Sequence, residues 1–366
     1  MAASAAPAAC IVHTARRLKI ASEDRTVTTD DVQPLNYSAH ALEDLLRLRR
    51  QLRGTMPKSA AALDVVIDML RRSVKFILPN CCELIDPAEL RQAHLDLLRP
   101  PFACVAFEAS WVMENDSVEY LGGQRQTPVT KRIALCWDVL PDIELVPGIN
   151  RFLQQGPNGG VCVLPIYWGP EFAQWTVAVG GVFVPYGSEL TRLMPENLNP
   201  PSRIGREVLV GAGQVTDRAK GLEADTFILL PELFERALPN YASRDDLLAH
   251  IALDSHDEVM MVIQACSVLN CSNVTTAELA PSASLNKKRR VNGKVPFFTY
   301  KVLQLTDERM ARGPAGGGHH ASPRMHLRRG HVRRLEQKTV WVRPAMVNPT
   351  SKSGRVVKDY AIQRPE

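Results

Sequence analysis

None of the eight cysteines (Cys10, Cys81, Cys82, Cys104, Cys136, Cys162, Cys266 and Cys271) stands in a Cys-x-x-Cys pair. The spacing that builds zinc ribbons or redox dithiols is missing, and several thiols sit inside apolar runs, as reduced, buried cysteines do. A disulfide framework is not expected, and a reducing cytoplasm fits best. No apolar stretch approaches the roughly 20 residues that cross a bilayer, so no membrane partner is expected. Gly211-Ala-Gly213 lacks the strand-then-helix setting of a phosphate loop, and His250 and His256 have no nucleophile elbow to serve. His319, His320, His326 and His331 have no cysteine or carboxylate at ligand spacing, so neither a metal nor a cofactor is expected. Glu108 and Asp138 fall in strand-like runs, but the lysine two residues after an acid that marks many nucleases is absent from both.

What is present is a chain of 366 residues with 45% hydrophobic content, long enough for one large or two ordinary domains. Its net charge of +5 hides an asymmetry. From Pro281 onward there are 19 Lys and Arg against 5 Asp and Glu, or +14, which leaves −9 for residues 1–280. Such polarity points to an acidic body and a basic terminus that meets nucleic acid, the ribosome or an acidic protein face. The expected divisions are a mobile extension over 1–35, an α+β body over 36–280 and a basic module over 281–366.

The body opens with helical periods. Leu42, Leu45, Leu46 and Leu52 follow a cap at Ser38, and Leu63, Val66, Ile67, Leu70 and Val74 follow one at Ser59. Asp86-Pro87-Ala88-Glu89 has the form of a third helix start, with His94 on its inward face as a core or boundary residue. Pro100-Pro101 ends this part. Alternating Val-, Ile-, Phe- and Trp-rich runs then predict strands over 102–111, 131–140, 160–168 and 174–186, an antiparallel sheet. Ser255-His-Asp-Glu258 reads as a capping box before an apolar helix under that sheet. The fold class expected is therefore α+β: N-terminal helices, an antiparallel sheet with a packed helix, and a small basic β-rich C-terminal module.

Beyond Pro281 the chain reads as a basic connector ending in Lys287, Lys288, Arg289 and Arg290, then a strand over 295–305, then a glycine-rich break over 312–318. The densest charge follows. Arg324-Met-His326-Leu-Arg328-Arg329-Gly330-His331-Val-Arg333-Arg334 precedes a strand-like segment containing Trp341. Unpaired charges are rarely buried, so this run is read as a docking face for an anionic partner, with phosphate contacts from the cations and stacking on Trp341. The candidate binding residues are Lys287, Lys288, Arg289, Arg290, His326, Arg328, Arg329, Gly330, His331, Arg333, Arg334 and Trp341.

Ser284-Leu-Asn286-Lys287-Lys288, Pro296-Phe297 with Tyr300, Met325-His326-Leu327-Arg328-Arg329-Gly330-His331, and Trp341 with Pro344-Ala345-Met346-Val347 occur in that order. Together they resemble the C-terminal half of a family of phages and mobile elements, that of the type V-A anti-CRISPR protein which lowers the amount of the host effector nuclease. The resemblance implies an interaction protein that engages the nascent host effector polypeptide together with RNA or the ribosome and brings about loss of the message. It does not imply an enzyme. The alternatives are a phage nucleic-acid-binding protein, or an RNA-processing enzyme using the Glu108 and Asp138 neighbourhood or His326 and His331 as acid and base.

Overall fold

A computed structural model describes residues 32–85, 90–112, 120–121, 124–125, 129–140, 149–154, 158–192, 194–212, 216, 220–222, 224–305, 325–328, 331–336, 338–342, 345–347 and 355–356. The described residues form an α+β fold of eight helices around a mixed nine-stranded sheet. Two helices come first, α1 (Tyr37–Leu52) and α2 (Pro57–Arg72). The sheet takes β1 (Val74–Ile77), β2 (Cys104–Ser110), β5 (Lys131–Val139), β6 (Gly160–Gly169), β7 (Gln174–Val177), β8 (Gly180–Pro185), β11 (Asp225–Ile228), β12 (Val274–Leu279) and β13 (Tyr300–Leu305). Their order is β11-β8-β6-β5-β2-β1-β13-β12, with β7 also paired to β6. Small ladders join β3 (Tyr120–Leu121) to β4 (Gln124–Arg125) and β9 (Thr191–Arg192) to β10 (Lys220–Gly221).

Three of the four strands read from alternation are present as single strands, and the fourth, over 174–186, divides into β7 and β8, which pair with different parts of β6. The sheet is not purely antiparallel. β1 runs parallel to both of its neighbours, β2 and β13. A parallel neighbour needs a long crossover, and residues 78–103 supply one between β1 and β2. Within that crossover α3 (Gln92–Leu95) is a single turn, and the expected start at 86–89 lies outside the described residues. His94 is buried there, as expected, and its Nδ1 accepts from the Arg91 backbone N–H at 3.0 Å.

Alternation sends side chains to two cores. Ala106, Ile133, Leu135, Trp137, Leu164 and Ile166 face α1 and α2, where they meet Leu42, Leu45, Leu63, Ile67 and Leu70. Val105, Phe107, Cys136 and Val163 face α7 (His256–Leu269), whose residues 257–268 are all buried. The sheet is thus sandwiched, and its strands are apolar on both faces. Three further helices, α4 (Pro200–Gly211), α5 (Pro231–Ala237) and α6 (Arg244–Asp254), lie beside the β8–β11 end. Sequence periodicity had offered no helix there.

The capping box at Ser255 does not form. Helix α6 runs up to Ser255, whose hydroxyl donates back to the Ile251 carbonyl at 2.8 Å. Glu258 turns away to accept from Arg132 at 3.0 Å, and Arg132 also meets Asp257 at 2.9 Å, so the start of α7 is tied to the sheet by a buried ionic group. Position 281, expected to open a separate module, lies between two neighbouring strands of the central sheet, β12 and β13. The expected connector over 281–290 is largely helix α8 (Ala283–Val291), capped by the Ser282 hydroxyl accepting from the Leu285 N–H.

Candidate nucleic-acid interface

Helix α8 presents the first group of cations. Lys287, Lys288 and Arg290 are exposed, and Lys294 just beyond the helix is exposed as well. Arg289, one residue from each of its basic neighbours, is different. It is 9% exposed, donates to Glu43 of α1 at 2.8 Å and to the Val295 carbonyl at 2.7 Å, and lies 3.8 Å from the Phe297 ring centre. With Glu43 also accepting from the Val295 N–H, Arg289 is a clamp between α8 and α1 and not a docking cation. The expected binding role of Arg289 is thus corrected: its guanidinium is already spent inside the protein. Asn286 completes the mounting, exchanging two hydrogen bonds with the Phe297 backbone at 2.9 and 2.8 Å.

The second group lies on a hairpin of β15 (His331–Arg334) and β16 (Thr339–Val342). Arg333 is exposed, while Arg334 reaches Asp96 at 2.6 Å on the surface. Trp341 is not available for stacking. It is 2% exposed within the core beside α7, and Asn273 holds its backbone through bonds of 2.7 and 2.8 Å. Burial of its apolar ring outweighs display at this position, which corrects the expected binding role and makes Trp341 the anchor of the hairpin. The Ser272 N–H and hydroxyl both donate to the Thr339 carbonyl, fixing the same strand to the start of β12.

His326 and Arg328 fall in β14 (Met325–Arg328), which pairs with β17 (Ala345–Val347) and β18 (Arg355–Val356). His331 belongs to the β15–β16 ladder, so the two histidines stand in different sheets. Arg329 and Gly330 lie outside the described residues.

The two carboxylates weighed for catalysis are far apart and structurally engaged. Glu108 faces α1, whereas Asp138 lies near Ala103 at the other end of β2 and on the α7 face. Five strand residues put them on the order of 16 Å apart along the sheet. Glu108 is fully buried and accepts from the Tyr37 and Ser38 N–H groups at 2.9 and 2.8 Å, the Ser38 hydroxyl, and the Tyr300 hydroxyl at 2.9 Å. Burial raises its pKa, against which the hydrogen bonds from Ser38, Tyr300 and Tyr37 work. Asp138 accepts from the Tyr186 hydroxyl, and burial again raises its pKa. Nearby Lys75 donates to the carbonyls of Arg71 and Ser73 and covers the Phe298 ring, and burial pushes its amine down to about 8. Lys75 closes the C-terminus of α2, a role that burial and the Arg71 carbonyl explain.

Sequence reading missed Glu43 and Asn273, the residues that seat both basic elements. Both are polar residues whose partners lie far along the chain, and periodicity carries no signal for such pairs. No family model, curated protein or solved structure matches this chain.

Proposed function

We propose that this chain is an interaction protein that lowers the expression of a host effector, holding the nascent effector polypeptide and the RNA or ribosome that is making it. The reading draws its target from the motif resemblance. One structural observation supports the part that meets RNA. Exposed Lys287, Lys288, Arg290 and Arg333 stand on elements whose opposite sides are locked to the body through Arg289–Glu43 and Trp341–Asn273. Cations on rigid mounts contact phosphates without losing the entropy of ordering a loop. Linking a peptide contact and an RNA contact in one chain raises the effective concentration of the second without any new contact.

The test is co-expression with candidate effectors, measuring effector protein and message, with and without recoding of the first codons of the effector. Loss of both, dependent on the encoded N-terminal peptide, is the expected result. In parallel, RNA affinity of the purified chain should fall with salt by roughly 0.7–0.9 log units per phosphate contact per log unit of salt. Replacing Lys287, Lys288, Arg290 and Arg333 by alanine should flatten that slope while leaving the fold intact, because exposed charges cost little to remove. Unchanged effector levels, together with RNA cleavage lost on changing His326 or His331, would establish the processing enzyme instead.

A further inference from the structure

The two edges of the central sheet are finished differently. β11 has four residues and lies against α6, with the Thr226 hydroxyl donating to the Leu248 carbonyl at 3.4 Å. β12 has six, Val274-Thr-Thr-Ala-Glu-Leu279, with β13 on one side and no strand paired to the other among the described residues, the β15–β16 hairpin being bonded just ahead of it, at Ser272 and Asn273. Sheets usually blunt an open edge with proline, lysine, a bulge or a covering loop. β12 contains neither proline nor lysine and pairs with β13 in unbroken register. Its single charge, Glu278, is already matched by Lys301 of β13 at 3.1 Å.

Register assigns its side chains to faces. Thr276 and Glu278 lie in rows with Leu303 and Lys301 on the α7 side, while Thr275, Ala277 and Leu279 lie in rows with Gln304, Val302 and Tyr300 on the α1 side. Two copies joined edge to edge about a two-fold axis normal to the sheet keep these faces together, so only residues of the same face meet. With Ala277 on the axis, the small alanine side chains meet each other, Thr276 meets the partner's Glu278, and Thr275 meets the partner's Leu279. No carboxylate meets a carboxylate, and each Glu278 gains a hydroxyl donor. A strand compatible with itself in charge, size and face is what a symmetric seam requires.

We infer that β12 is a self-pairing edge and that the protein is a homodimer built on one sheet continuous across two copies. The inference is independent of the proposed function, but it has a consequence for it. Helix α8 begins four residues after β12 and packs on the α1 side through Glu43, so the dimer carries both sets of α8 cations on one face.

Light scattering of the full chain without nucleic acid, at micromolar concentration, should give twice the monomer mass. Ala277→Glu and Ala277→Lys each place like charges on the axis and should each weaken the dimer by roughly tenfold or more. Mixing the two variants should restore it, because glutamate then faces lysine. Should either variant fail to fold by circular dichroism, Ala277→Cys, a near-isosteric change, should give a disulfide-linked dimer on mild oxidation that the parent chain does not give. A monomer at tens of micromolar overturns the assignment. So does a dimer that is indifferent to both charges and that the Ala277→Cys variant does not cross-link on oxidation.

Discussion

Helices α1 and α2 begin in the same way and in opposite surroundings. Neither has a local side-chain cap: α1 follows Asn36 in the left-handed region and α2 follows Met56. Each instead receives a glutamate from far along the chain. Glu108 of β2 accepts from the N–H groups of Tyr37 and Ser38, and Glu232 of α5 accepts from those of Lys58 and Ser59 at 2.8 and 2.7 Å. In both cases a serine hydroxyl of the first turn donates to the same carboxylate. Both acids also sit at the positive end of a helix dipole. Two things differ: Glu108 is sealed under α1 and has the Tyr300 hydroxyl as a fourth donor, whereas Glu232 is only half-buried and has three. The three bonds that the two helix starts share should therefore carry unequal weight, since an unmet donor costs most where water cannot replace the acceptor.

The sharpest way to break the comparison is Glu108→Ala. It strands two backbone donors and two hydroxyls in the core, and the expected loss is about 3 kcal/mol or more, measured by denaturant unfolding. The same change removes the charge that holds up the lysine amine of Lys75, already lowered by burial. Tyr300→Phe deletes one of the four donors and keeps the ring. It should cost about 1.5–3 kcal/mol, the range for a hydrogen bond to a charged acceptor. A loss for Tyr300→Phe as large as that for Glu108→Ala would mean that the backbone bonds carry almost nothing. Glu232→Ala should destabilise least, because water takes over the donors at the start of α2.

These caps also mark the limit of what the sequence could show. The leucines of α1 and α2 were legible because burial repeats every three or four residues, and the strands because short apolar runs rich in Val, Ile, Phe and Trp stand between turn signals; burial along them is nearly continuous, since the sheet is covered on both faces. Ser38 and Ser59 looked like N-caps for a sound local reason. They lie within the first turns instead, and their hydroxyls donate to carboxylates 70 and 173 positions away. Local pattern carries no record of such partners. The basic terminus followed the same rule. Its charge was plain, but the separation of Arg289, buried against Glu43, from exposed Lys287, Lys288 and Arg290 was set by a residue 246 positions distant. Trp341 was visible as an aromatic in a basic setting, and only tertiary packing decided that its ring faces α7.

The finest test of the two caps is the pH dependence of stability, where they should act with opposite sign. For Glu108 burial outweighs the hydrogen bonds, and its folded pKa lies above the ordinary glutamate value of 4.5. The folded state then binds the proton more tightly than the unfolded state, so this contribution is complete below 4.5 and is lost as pH rises through the raised folded value. For Glu232 a desolvation cost is outweighed by hydrogen bonds from Ser59 and Lys58, and its folded pKa lies below 4.5. Its contribution is present above 4.5 and is lost as pH falls through the lowered value. Unfolding free energies measured from pH 3 to 7 for the parent chain, Glu108→Gln and Glu232→Gln isolate each term by difference. Glu108→Gln should remove a component that declines with rising pH, and Glu232→Gln one that grows with it. If both differences rise with pH, burial does not govern Glu108, and the two helix starts are equivalent in energy as well as in geometry.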